Sequence, residues 1–126
     1  MNFQTARADK YRSREVEIDG IIFDSKKEGN IYLELKACLE RGEIERFERQ
    51  KRYELIPAQW TEAMIPGKKK PQRRCVERAI TYVADFVVYY PDGEVVVLDP
   101  KGFKTDVYRI KKKLLLMVHK IKIKEI

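Results

Sequence analysis

The chain has 126 residues, with 27 lysines and arginines against 20 aspartates and glutamates, for a net charge of +7. That length suits one domain of about 100–150 residues, and the basic surplus favours a polyanionic partner, nucleic acid or an anionic membrane. No apolar run approaches the ~18 residues of a membrane span, the polar stretch Met1 to Arg14 lacks a signal-peptide core, and two cysteines with one histidine cannot build a disulfide scaffold or a zinc centre.

Residues 1–13 are polar and read as a frayed end. Arg14 to Phe23 reads as a hairpin: Val16 and Ile18 alternate with polar residues, Asp19-Gly20 signals the turn, and Ile21-Ile22-Phe23 returns. Asp24-Ser25 opens a helix that runs to about Arg41 and stops at Gly42. Its apolar stripe is Ile31, Tyr32, Leu35, Cys38 and Leu39, so Cys38 reads as a small core residue. Phe47 to Ala58 reads as a strand ended by Pro57. Residues 59–77 carry Pro66, Gly67 and Pro71 among many cations, which predicts a basic loop.

Arg78 to Tyr90 reads as a long strand rich in β-branched and aromatic residues. Pro91-Asp92-Gly93 is a turn, and Glu94 to Leu98 is a valine-dense second strand. Thr105 or Asp106 caps a second helix with Val107, Ile110, Leu114 and Met117 on one face. Ile121, Ile123 and the chain end give a last strand. The order is hairpin, helix, three strands, helix, strand, an α/β arrangement.

Three carboxylates break local rules. Asp85 lies mid-strand between Val83 and Val87, where aspartate is depleted. Asp99 ends the next strand, and Lys101 follows two positions later. Tyr90 to Glu94 fits a three-residue hairpin loop with Gly93 as the bulge. Counting back from that turn sets Asp85 opposite Asp99 and Val83 opposite Lys101. Two carboxylates so close repel each other unless a proton or a divalent cation lies between them. Glu28 falls on the apolar stripe of the first helix. Each has a plain structural alternative: Glu28 closes a capping box with Ser25, and Asp85 and Asp99 form an ion-paired group with Lys101.

Other residues divide the same way. The cations Lys68, Lys69, Lys70, Arg73, Arg74 and Arg78 suit a DNA backbone or a solvated loop. Lys111-Lys112-Lys113 reads as the wet face of the second helix. Trp60 is expected at a core edge, with base stacking as the alternative, and His119 is expected to be structural. Tyr11 to Arg14 is a candidate DNA-contacting arm.

Asp85, then Asp99-Pro100-Lys101 on the next strand, with Glu28 on a preceding helix, resembles the PD-(D/E)XK nuclease superfamily. Most of the chain resembles a small phage and prophage family of unknown function within it. The phrases that carry this are Val16 to Gly20, Phe23 to Glu28, Tyr82 to Phe86 and Lys101 to Asp106. Ala84 replaces the usual proline before the first aspartate, and Pro100 stands where an aliphatic residue is common.

The resemblance implies a restriction-endonuclease-like core, helix, three strands, helix and strand around a mixed sheet, preceded by the hairpin and forming a single domain over 1–126. It implies a DNA endonuclease. Asp85, Asp99 and the Pro100 carbonyl would hold Mg²⁺ or Mn²⁺, Glu28 would serve a second ion or its water, Lys101 would act at the scissile phosphate, and Gln50 would support the group. Branched DNA as substrate, a homodimer and a cytoplasmic location in a phage-infected or lysogenic host are the matching expectations. The rival expectation is a non-catalytic nucleic-acid-binding or phage accessory protein on the same fold.

Overall fold

A computed structural model describes residues 14–100 and 104–126. The architecture is α/β, with a mixed four-stranded sheet, an N-terminal hairpin and two helices. Backbone contacts group the chain into two units. One extends to Phe47 and includes Tyr89–Glu94; the other holds Glu48–Val88 and Val95–Ile126.

In the first unit, β1 (Val16–Ile18) pairs antiparallel with β2 (Ile21–Phe23) through Val16↔Phe23 and Ile18↔Ile21. Asp19 and Gly20 both have positive φ, 54° and 77°, the requirement of the type I′ turn whose twist matches the strands. Helix α1 (Lys26–Glu40) starts at Ser25, whose hydroxyl accepts the Glu28 amide, and ends in a Schellman motif. There Gly42 takes φ 73° while its amide reaches the Leu39 carbonyl and that of Glu43 reaches Cys38.

Tyr32 and Leu35 are buried as the stripe predicts, whereas Leu39 is exposed. Phe23 stacks on Tyr32 with ring centroids 5.0 Å apart, and Phe47 meets Tyr32 edge-on at 5.9 Å. Gly29 lets the hairpin approach the helix: a Cβ there would lie 2.7 Å from Val16 Cγ2 and 3.1 Å from Ile18 Cδ1.

The second unit is built on β3 (Arg46–Ile56), β6 (Ile80–Tyr89), β7 (Val95–Asp99) and β8 (Lys122–Glu125), in that spatial order. Strands β7 and β8 are parallel, with Val97↔Ile123 and Asp99↔Glu125 as partners. Parallel neighbours need a crossover, and α2 (Asp106–His119), capped by Thr105, supplies it. The core holds Tyr53, Leu55, Ala84, Phe86, Val87, Val88, Val97, Leu115 and Ile123.

Two expectations are corrected here. Residues 59–77 do not form a loop: β4 (Gln59–Ala63) and β5 (Gln72–Glu77) pair antiparallel as a hairpin. The breakers misled because they cluster at its tip. The Lys68 amide bonds the Ile65 carbonyl across Pro66-Gly67, and Gly67 has φ 87°, the arrangement of a type II turn.

The second correction concerns α2. Three of the four residues of its apolar stripe face outward, Val107, Ile110 and Met117 near 60% exposed, while Leu114 is half-buried. Tyr108 and Leu115 are buried instead. The packed side also carries Lys112, paired with Glu125, and His119, whose Nε2–H donates to the Glu54 carbonyl at 2.6 Å while its ring packs on Tyr53. Polar tips with partners let the amphipathic side pack, so hydropathy alone picked the wrong face. His119 is structural, as expected.

Candidate active site

The turn of Tyr90 to Glu94 closes as its sequence predicts. The Tyr90 amide donates to the Glu94 carbonyl at 2.9 Å, the Gly93 amide to the Tyr90 carbonyl at 3.0 Å, and Gly93 has φ 92°. Asp85 and Asp99 lie on the adjacent strands β6 and β7.

Asp99 is the buried charged residue among those described, 2% exposed, and the Tyr82 hydroxyl donates to its Oδ2 at 2.6 Å. Strict alternation counted from the turn would put Tyr82 and Asp99 on opposite faces. Their bond therefore marks a departure from that count, which sets Asp99 opposite Asp85 and on the other face from Tyr82.

Tyr82 is a hydrogen-bond partner of Asp99. Burial, the hydrogen bond to Asp99, the charges of Asp99 and Tyr108 and, least, the charge of Asp85 all push its phenol well above the usual range. It stays a proton donor at any ordinary pH. Tyr108 is pushed up to about 12, by burial first and then by the charges of Asp99 and Glu125.

Asp85 is half-buried, and its Oδ1 accepts from Gln50 Nε2 at 3.1 Å. Gln50 has φ 52°, a left-handed conformation for a non-glycine residue in the middle of β3. Such strain costs of order 1–3 kcal/mol and collects at functional sites. The carboxamide predicted as a supporting group is thus bonded to the predicted ligand Asp85.

The parallel register sets Glu125 beside Asp99. Glu125 pairs with Lys104 at 2.8 Å and with Lys112, and these two lysines hold its carboxyl below the usual range. Sequence reading missed Tyr82 and Glu125. The signal for Tyr82 was a tyrosine three residues before a mid-strand aspartate; Glu125 offered none, because its neighbours come from the parallel crossover.

Glu28 stands half-buried in the first turn of α1, within the N-terminal unit, where its amide bond to Ser25 supplies one half of a capping box. The Pro100 residue directly follows β7. Lys101 and residues 1–13, including most of the Tyr11 to Arg14 arm, lie outside the described residues.

The predicted basic residues belong to the β4–β5 hairpin and its flank: Lys68, Lys69 and Lys70 at the tip, Arg73 and Arg74 on β5, and Arg78 just beyond, all exposed. Trp60 is not at a core edge: it is 49% exposed, and the Arg73 guanidinium lies over its ring, 4.1 Å from the centroid. A hairpin without a buried face offers an indole no core to enter.

Among the described residues, no three His, Cys, Asp or Glu side chains gather closely enough to hold a metal ion. The donors that the resemblance implies, Asp85, Asp99 and the Pro100 carbonyl, are all oxygen ligands. That set fits a hard ion such as Mg²⁺, which binds through one or two carboxylates and keeps several waters. No described helix is long and apolar enough to cross a membrane.

Comparison with known proteins gives a family and nothing beyond it. Residues 8–125 match the family model described as "Protein of unknown function (DUF1064)", and the chain belongs to that family. No curated protein and no solved structure matches it.

Proposed function

We propose that this protein is a Mg²⁺-dependent DNA endonuclease with a PD-(D/E)XK-type, restriction-endonuclease-like core. The observation that supports this best is that two carboxylates on adjacent strands are each held by a dedicated partner, Asp99 by the buried Tyr82 hydroxyl and Asp85 by the carboxamide of Gln50. A buried carboxylate is costly unless partnered, and a strained Gln50 beside Asp85 adds a second cost. Both are the marks of residues kept for chemistry.

In this reading Asp85, Asp99 and the Pro100 carbonyl hold Mg²⁺ or Mn²⁺. The ion supplies a nucleophilic water near neutral pH and offsets charge at phosphorus. Tyr82 fixes the orientation of Asp99 by donating to one of its oxygens, and Gln50 does the same for Asp85. Lys101 orients the attacking water and stabilises added charge at the phosphate. The six cations from Lys68 to Arg78 track the DNA backbone. Branched DNA is the proposed substrate, and two cuts across a branch call for a homodimer.

The test is incubation with plasmid and with a synthetic four-way junction, in Mg²⁺ or in EDTA. Cleavage in Mg²⁺ alone is expected. Lys101→Ala should lower the single-turnover rate on the order of 10²-fold or more while leaving DNA affinity nearly intact. Mg²⁺ should also raise the melting temperature, because an ion bound only by the folded state stabilises it. Asp99→Asn should weaken that rise, since its amide oxygen still accepts from Tyr82 while the charge is gone. A Lys101→Ala variant that cuts as fast as wild type overturns the mechanism.

One second reading has an observation behind it. The exposed, cation-rich β4–β5 hairpin, which lies apart from the carboxylates, suits a nucleic-acid-binding protein that does no chemistry. Binding without cleavage in every metal tested would select it.

A further inference from the structure

The β4–β5 hairpin has no buried residue: Ala63 and Gln72 are intermediate, and every other position is exposed. Its side chains are therefore not chosen by a core. Three features mark what they meet.

The first is charge. Residues 59–78 hold six cations, Lys68, Lys69, Lys70, Arg73, Arg74 and Arg78, against the carboxylates of Glu62 and Glu77, so the hairpin carries more than half of the chain's net charge. The second is Trp60, the single tryptophan of the chain, set out in solvent with the planar Arg73 guanidinium stacked on it. The third is register. Trp60 opposes Cys75 and Glu62 opposes Arg73, so Trp60 and Arg73 are diagonal neighbours on one face. Arg74, the next residue, points to the other.

We propose that Trp60 and Arg73 form a stacking platform for an unpaired nucleotide base. Lysines alone would track phosphates and read any nucleic acid. An indole backed by a guanidinium adds a flat, cationic π surface that a base can cover. Bases inside a duplex are already stacked on each other, so only a base at a strand end, flap or branch offers its face. The platform thus selects DNA that carries unpaired nucleotides. This rests on DNA as the partner and sharpens it to that class.

An anionic lipid surface would also attract lysines beside Trp60, Met64 and Ile65. The register disfavours it. Arg73 and Arg74 place cations on both faces of the hairpin, whereas a flat membrane meets one. The indole is also held under a guanidinium, not left to sink into acyl chains.

The experiment uses the full chain in EDTA, where no phosphodiester is cut, and reads Trp60 emission in the wild type and the anisotropy of a fluorescently labelled probe in every variant. The probes are a short oligothymidylate, a blunt duplex of mixed sequence, and phosphatidylglycerol vesicles. The oligothymidylate should quench the emission strongly and the duplex weakly. Trp60→Ala should lose about tenfold in affinity for the oligothymidylate and nothing for the duplex, and Trp60→Phe should recover part of the loss. Arg73→Lys keeps the charge without the plane; it should weaken oligothymidylate binding more than duplex binding, which keeps the proposal testable should the Trp60 variant misfold.

Equal quenching by both DNAs, or unchanged oligothymidylate affinity in Trp60→Ala, overturns the platform. A blue shift with vesicles and no response to DNA overturns it in favour of a membrane. The nuclease reading fails separately: quenching by oligothymidylate with no cleavage in Mg²⁺ removes the enzyme and keeps the platform, while cleavage with a silent Trp60 does the reverse.

Discussion

The two hairpins of this chain are built alike and used differently. Strands β1 and β2 meet through a tight two-residue turn and bury Phe23 to 1% exposure. They are held to α1 at both ends: Gly29 admits Val16 and Ile18, and Asp19 in the turn accepts from the Tyr32 hydroxyl at 3.0 Å and pairs with Lys36. Strands β4 and β5 bury nothing. They are continued from β3 and β6 across two short links, Pro57-Ala58 and Arg78-Ala79. A lone two-stranded ribbon is marginal in water, so each needs an outside support. The first takes it from side-chain packing and the second from the strands it extends. Substitution should therefore cost stability in the first hairpin and binding in the second.

The largest expected break is Gly29→Val. A branched side chain would enter the space filled by Val16 and Ile18, and overpacking of this kind costs about 1–3 kcal/mol. A β-branched residue brings little helical gain to offset it. Urea unfolding should show a lower midpoint at unchanged slope.

Tyr32→Phe comes next. It keeps the ring contacts with Phe23 and Phe47 and removes only the hydrogen bond to the Asp19 carboxylate. A smaller loss of stability is expected, read from the same titration.

The Asp19 turn also gives a pH signature. Its carboxyl is held below the usual range by the Lys36 bond first and the Tyr32 bond second. A lowered folded pKa means the contribution is present above the unfolded value, about 3.9, and is lost as pH falls through the folded one. Lys36 is raised by the same pair, so its share is present below about 10.4 and fades as pH rises through its folded value. Melting temperature should thus fall as pH drops below about 4. Asp19→Asn, which tolerates the φ of 54° at that position, should show a shallower acid fall.

The same contrast explains what was legible beforehand. Local signals sufficed where local rules decide. Asp19-Gly20, Ser25, Gly42, Gly93 and Thr105 each marked a turn or cap that the chain forms. The pattern failed where packing chose among plausible faces. Helix α2 is apolar on more than one side, and the partners of Lys112 and His119 decide which side turns inward. It failed again at β4–β5, whose strands carry no buried stripe for periodicity to detect. In the candidate site, Asp85 and Asp99 stood out because each breaks a strand rule, whereas Gln50 entered only through the family resemblance. The part played by Tyr82 depends on a departure from strict alternation that no count from the turn could include.

The smallest effect on stability is expected at the hairpin tip, and there it is most informative. Lys68, Lys69 and Lys70 are all exposed, and they flank a turn held by the Lys68 amide and the geometry of Pro66-Gly67, not by their side chains. Replacing all three with glutamine leaves that amide in place, so unfolding free energy should stay within about 0.5 kcal/mol of wild type. DNA binding should respond quite differently. Each lost phosphate contact removes close to one from the slope of log affinity against log salt. The triple variant should bind more weakly at low salt, lose up to about three from that slope, and converge on wild type as salt rises. Gel-shift titrations at several salt concentrations, run beside urea melts, measure both. A melt that falls while the salt slope holds would reverse the assignment, making the tip a structural element and moving the DNA contact elsewhere on the chain.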